Sequence, residues 1–220
     1  MRSDILRAEE AADALRWEIT DGELLPGAAL PEAVIAGRLG VSRNTLREAF
    51  RLLGQDGLLE HSPNRGAFVA VPTVGAILDI YRVRRLVEGE AVAGSLPGHP
   101  ALVRMREAVA ASFAARDEDD WRAVGTANML FHEAIVGLAD SPRLTGLHRR
   151  IAAELRLAFG LADDLEYLHS PFLRANLEIL EALEAGEAAR AAVLLDECLI
   201  RGERVLLSVF GSGPARVSAG

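Results

Sequence analysis

The chain contains one cysteine, Cys198, and no lysine; all 24 of its basic residues are arginine. A lone thiol cannot make an internal disulfide and fits a reducing compartment, and the arginine bias reads as codon usage. No apolar run approaches the ~20 residues a membrane-spanning helix needs. The opening MRSDILRAEE lacks the apolar core of a secretory signal. These absences point to a soluble, cytoplasmic protein with no membrane partner. Also missing are a phosphate-cradling glycine loop, an internal repeat and a low-complexity tract. The 220 residues suffice for two domains, each with a core of its own.

The most informative stretch runs from Val41 to Gly66, VSRNTLREAFRLLGQDGLLEHSPNRG. Ser42 is a good N-cap, and Leu46, Ala49, Phe50 and Leu53 recur at three- and four-residue intervals, so an amphipathic helix starts there and ends at Gly57. Its first turns present Arg43, Asn44, Thr45 and Arg47: guanidinium forks, an amide and a hydroxyl suited to base edges in a DNA major groove. Before it, Pro31 can open a helix with Val34, Ile35 and Leu39 on one side, and Gly40 supplies the turn. After it, 58–61 and 67–71 read as two strands around a turn at 62–66, a wing with Arg65 at its tip. The net charge of −8 does not oppose this, because docking depends on local charge. Residues 36–66 hold five arginines against three acids. With few phosphate partners per chain, a dimer on a two-fold operator is the expected working unit.

The segment LLPGAALPEAVIAGRLGVSRNTLREAFRLLGQDGLLEHSPNRGAFVAV resembles the winged helix-turn-helix of GntR-type bacterial transcription regulators, over roughly residues 5 to 72. The resemblance implies that Arg43, Asn44, Thr45 and Arg47 face bases and phosphates, and that Asn64, Arg65 and Gly66 approach the minor groove or backbone. The plainer reading makes Arg43 and Arg47 solvated helix charges.

A first helix is expected from a cap at Ser3 or Asp4 to about Thr20, packed behind the helix-turn-helix. Pro72-Thr73 closes this unit, which places the domains at 1–72 and 73–210 with a frayed tail at 211–220. From Val74 the pattern is helical throughout, and punctuation divides it into six helices at about 74–95, 101–116, 120–139, 142–162, 171–184 and 187–210. The fold class is thus mainly α: a winged helix-turn-helix with a small two-stranded wing, then an all-α six-helix bundle. IYRVRRLVEGEAV, NMLFHEAIVGLADSPRL and NLEILEALEAGEAARAAVLLDECL resemble the helical C-terminal domain of the FadR subfamily of these regulators. That resemblance implies a small-molecule sensor that also dimerises.

Four apolar seams of the expected bundle are each interrupted by a polar or polarisable group. Arg84 breaks the stripe Ile77, Ile80, Val87, Ala91, and Asn128, with His132 one turn on, breaks Trp121, Val124, Phe131, Ile135. Asn176 breaks Phe172, Ile179, Leu183, and Cys198 breaks Ala191, Leu194, Val205. Burying unpaired polar groups costs a few kcal/mol each, so several together suggest a ligand pocket. Each also has a plain reading. Cys198 can be a small hydrophobe, Asn176 can sit near solvent, His132 can bond a backbone carbonyl, and Arg84 can pair with Glu88 one turn away.

Metal-binding members of the subfamily carry Asp or Asn four residues before a His, and two more His on the last two helices. Asn128 and His132 match the first pair; Asn176 and Cys198 stand where the later histidines would be. Amides are weak ligands for zinc-like ions. The reading is therefore that no cofactor is required, with a divalent metal on Asn128, His132 and Cys198 as the alternative. Arg84 is the natural fork for a carboxylate or phosphate on an organic effector. The expected function is transcription regulation, repression above activation, by a homodimer that binds double-stranded DNA and an anionic effector. An enzyme is not expected. A di-iron bundle needs two Glu-x-x-His motifs, and only Glu166 to His169 is present; a Cys hydrolase needs a base beside Cys198, which lies on an apolar seam.

Overall fold

The computed structural model describes residues 2–62 and 65–212. Helix α1 spans Arg2–Asp21, and a two-residue strand β1, Ala29–Leu30, precedes α2 (Glu32–Leu39) and α3 (Arg43–Gln55). Strands β2 (Leu59–Ser62) and β3 (Gly66–Val69) follow. The remaining helices are α4 (Val74–Ala93), α5 (Ala101–Asp117), α6 (Trp121–Gly137), α7 (Pro142–Phe159), α8 (Leu165–Glu184) and α9 (Ala188–Ser212).

Local chemistry accounts for the ends of these elements. Gly40 terminates α2 in the left-handed region, φ 65°, which a residue without Cβ adopts at no steric cost. Two residues later the Ser42 hydroxyl accepts the Thr45 amide at 3.1 Å and opens α3. Leu46, Ala49, Phe50 and Leu53 form the buried face of α3. They pack with Leu15 and Ile19 of α1 and Leu58 in one core, which also takes in Ala153 and Leu157 of α7. The second core lies inside the bundle, where Ile77, Met105, Phe131, Ile135, Leu155 and Leu206 are all fully buried.

Four expectations need correction. The wing sheet has three strands in the order β1-β3-β2: Ala29 and Leu30 pair antiparallel with Phe68 and Ala67. A two-residue strand has no alternation to read, so its pairing partner alone defines it. The first helix is already under way at Arg2, which puts Ser3 and Asp4 inside it. The fifth bundle helix begins at Leu165, six residues before the expected start at Pro171. There the Asp164 carboxylate accepts the Tyr167 amide at 2.8 Å, and the added turn buries Leu168 and His169, which outweighs the poor fit of Pro171 in a helix interior. Finally α9 continues to Ser212, so the first two residues of the expected tail are helical; the rest of it lies outside the described residues.

Asp164→Ala should remove the α8 cap and cost about 1 kcal/mol, lowering Tm by about 2–4 °C in a chain of this size. Differential scanning calorimetry checks this; an unchanged Tm would mean that α8 does not depend on its cap.

Candidate nucleic-acid interface and effector cavity

On α3, Arg43, Asn44 and Arg47 are exposed, and Arg43 has no ion-pair partner among the described residues. Arg47 is held instead: its Nε donates to both carboxylate oxygens of Glu32 at the start of α2, at 3.2 and 2.9 Å. Its Nη groups have no hydrogen-bond partner among the described residues and stay open to a phosphate. The Thr45 hydroxyl lies 2.8 Å from Ser42 Oγ and so takes part in the cap. On the wing, Arg65 is exposed with its guanidinium 5.6 Å from the centroid of the Phe68 ring, and Gly66 is exposed at φ 93°. Asn64 lies outside the described residues. α3 thus presents cationic and amide groups, and the wing tip a further guanidinium.

Within the bundle the residues singled out on four helices do converge. Arg84 of α4, Asn128 and His132 of α6 and Cys198 of α9 line one cavity of about 20 Å³, with Tyr81 and His169 in its wall. That is room for about one water. Asn176 is buried next to it and donates from Nδ2 to Asn128 Oδ1 at 2.7 Å, while its own Oδ1 is buried without a hydrogen-bond partner.

The centre of this layer is a residue that the seam pattern missed. Glu88 is fully buried, and the inner face of α4 runs Ile77, Ile80, Tyr81, Arg84, Glu88, Ala91, with Val87 turned partly outward. Glu88 Oε1 accepts Arg84 Nε at 2.7 Å and His148 Nε2 at 3.2 Å; Oε2 accepts His132 Nδ1 at 2.7 Å. Burial alone would raise the Glu88 carboxyl, but the Arg84 charge and the histidine donors hold it well below the usual carboxylate range. It is therefore an anion that only accepts. Burial lowers His132, which is neutral near pH 7 with its proton on Nδ1 and its lone pair on Nε2. Arg84 also lies over Tyr81, 5.2 Å from the ring centroid. Of its guanidinium, only Nε has a hydrogen-bond partner among the described residues.

This donor set does not suit a divalent ion. The two asparagines bond each other, His132 has committed Nδ1 to Glu88, and burial pushes the Cys198 thiol up to about 11, away from the thiolate a metal binds. Among the described residues no three His, Cys, Asp or Glu side chains are grouped to hold a metal. His148, Ala152, Leu155 and Phe159 follow helical spacing on α7, whereas His169 was lost with the misplaced start of α8.

Two stability predictions follow from this chemistry. Glu88→Gln leaves Arg84 buried without its counter-charge and should cost about 3 kcal/mol or more in urea unfolding; a loss under about 1 kcal/mol would contradict the assigned centre. Burial also lowers His169 to about 3, from a usual 6.5. Below pH 6.5 the unfolded chain takes up a proton that the folded His169 refuses, and His132 acts in the same sense. Stability should therefore fall as pH drops from 6.5, by up to about 1.4 kcal/mol per pH unit for each such group. His169→Leu should flatten that slope between pH 6 and 4; an equally steep slope in the variant would contradict the burial of His169.

The profile described as "Bacterial regulatory proteins, gntR family" matches residues 7–69, and that of the FCD domain matches residues 79–201. Over 190 residues, 82% of this chain and 80% of the relative, the chain is 30% identical to a protein of Paenarthrobacter nicotinovorans described as "Probable D-xylose utilization operon transcriptional repressor". The crystal structure of a protein from Rhodococcus sp. RHA1 titled as a GntR transcriptional regulator is 40% identical; the match covers 94% of this chain and 99% of that one at a TM-score of 0.86. Escherichia coli McbR/YncC, 23% identical, shares the fold at a TM-score of 0.79 over 93% of this chain and 98% of its own. With the winged unit and the FCD domain both matched, the chain belongs to the GntR family of DNA-binding bacterial transcription regulators, in its FadR subfamily.

Proposed function

We propose that this regulator is a repressor that binds a two-fold operator as a homodimer and is released by a small anionic effector in the bundle cavity. The observation that carries the effector reading is Arg84: its guanidinium lines the cavity with both Nη groups uncommitted while Nε holds Glu88. A carboxylate is the natural complement to two parallel donors. The cavity is too small for a metabolite as it stands, so the effector would select a more open bundle. It can shift that balance only by its differential affinity for the two arrangements.

For the DNA-contacting surface, Arg43, Asn44, Arg47, Arg65 and Gly66 are the described candidates, with Thr45 in a capping role and Asn64 beside them in sequence. Arg43 has no ion-pair partner among the described residues, whereas Arg47 is tethered through Nε to Glu32, so Arg43 is the freer to reach a base. The repressor sense draws support from relatives that are described as repressors.

Operator duplexes selected in vitro from random sequence provide the test. Arg43→Ala should weaken specific binding by about 1–3 kcal/mol with folding intact, and Glu32→Gln, which frees Arg47, should tighten binding to any duplex. An Arg43→Ala protein with full affinity would remove α3 as the reading helix. For the cavity, Arg84→Lys retains a cation for Glu88 but loses the fork. It should abolish the response of operator binding to carboxylates from formate to citrate and leave affinity without them unchanged. A retained response would place the effector elsewhere.

A further inference from the structure

A second buried cation lies between the cavity and the end of α1. Arg156 on α7 is buried, yet no carboxylate among the described residues bonds its guanidinium. Nη2 donates to two backbone carbonyls, Asp21 O at 3.1 Å and Arg122 O at 3.4 Å, and Nη1 is buried with no partner. His169, in the cavity wall, has its own buried and unpartnered nitrogen, Nε2. These two orphan atoms face each other across Gly125 of α6. A Cβ there would stand 2.5 Å from Arg156 Nη1 and 2.6 Å from His169 Nε2. On the far side, a Cβ at Gly22 would stand 2.9 Å from Arg156 Nη2. The guanidinium therefore passes through a gap that exists because two glycines, one on α6 and one just after α1, carry no side chain.

What Arg156 reaches is the last residue of α1. Asp21 O also accepts Arg122 Nε at 2.8 Å, and its carboxylate takes Arg122 Nη2 at 2.5 Å and the Thr126 hydroxyl at 3.4 Å. Directly after it, the amides of Gly22, Glu23 and Leu24 cap α1 on Ile19 O and Glu18 O. Helix α1 in turn shares a core with α3.

We propose that Gly125, His169 and Arg156 form a polar joint that transmits the state of the bundle cavity to the end of α1, and so to the DNA-reading unit. The proposal rests on the cavity being the effector's site. The joint is suited to the task because it is under-committed. His169 sits edge-on to Phe159, ring centroids 5.1 Å apart, and a shift of its ring changes the acceptor offered to Nη1. Arg156 has only two backbone acceptors, the longer at 3.4 Å, to hold it against that change. With its proton on Nδ1, the neutral imidazole can accept from Nη1; with the proton on Nε2 it opposes a donor. Arg156, His169 and Gly125 are positioning residues: none bonds a base or phosphate, and only His169 borders the cavity.

The test is a double-variant cycle that needs no identified effector. Cys198→Val adds a methyl to the cavity, and Cys198→Ala enlarges it. Each is made in the otherwise unchanged chain and in His169→Leu, which keeps the packing and removes Nε2. The readout is amide hydrogen exchange at Gly22, Glu23 and Leu24. In the unchanged chain the cavity variants should shift exchange at these amides by about fivefold or more. In the His169→Leu background the shift should fall below about twofold. A purely structural role for His169 would raise exchange in that variant but leave the cavity's effect intact. Equal shifts in both backgrounds, or none in the unchanged chain, would overturn the joint. A failure of the effector reading shows separately, as carboxylates that leave operator binding unaltered while the cycle still couples.

Discussion

Three side chains from three helices place a donor on the buried carboxylate of Glu88, and the inner layer of the bundle is arranged around it. Arg84 comes from one turn away on α4, His132 from α6 and His148 from α7. A buried anion is tolerated only when its charge is matched and its lone pairs are filled. Here Arg84 supplies the charge and the His132 and His148 rings complete the hydrogen bonds. This requirement orients His132, which fixes its free nitrogen as an acceptor, and it anchors Arg84 through Nε so that the rest of the fork borders the cavity.

The same constraint bears on the alternative of a bound divalent ion. The pattern Asn128, His132, Asn176, Cys198 follows the spacing of the subfamily's metal ligands. Three of its members are engaged within the protein, amide to amide and imidazole to carboxylate, while Asn176 Oδ1 has no partner among the described residues. A protonated, buried thiol completes the set. The chemistry of this layer favours hydrogen bonding over metal ligation.

Much of the fold could be read from the residues. The capping serine of α3, the glycine between α2 and α3 and the regular punctuation of the bundle are local signals, and local signals survive without a structure. The failures had long-range causes. Strand β1 exists through its pairing with β3, and α8 starts early because an aspartate cap and a buried turn outweigh a proline. In the cavity, Arg84, Asn128, His132 and Cys198 were legible as polar breaks in apolar stripes. Glu88 was legible only as a partner for Arg84 one turn away, since a charged residue one position from the expected stripe gives no sign of burial. The link from Arg156 to Asp21 joins residues 135 apart in sequence and leaves no pattern to find.

The central claim is that a ligand seated against Arg84 governs DNA binding. The most direct measurement is the Kd for a selected operator, by fluorescence anisotropy, with and without a carboxylate shown by crystallography to occupy the cavity. The account predicts a weakened complex when the cavity is filled, with the bundle opened around the ligand. A carboxylate in contact with Arg84 and an operator Kd that does not move would contradict it.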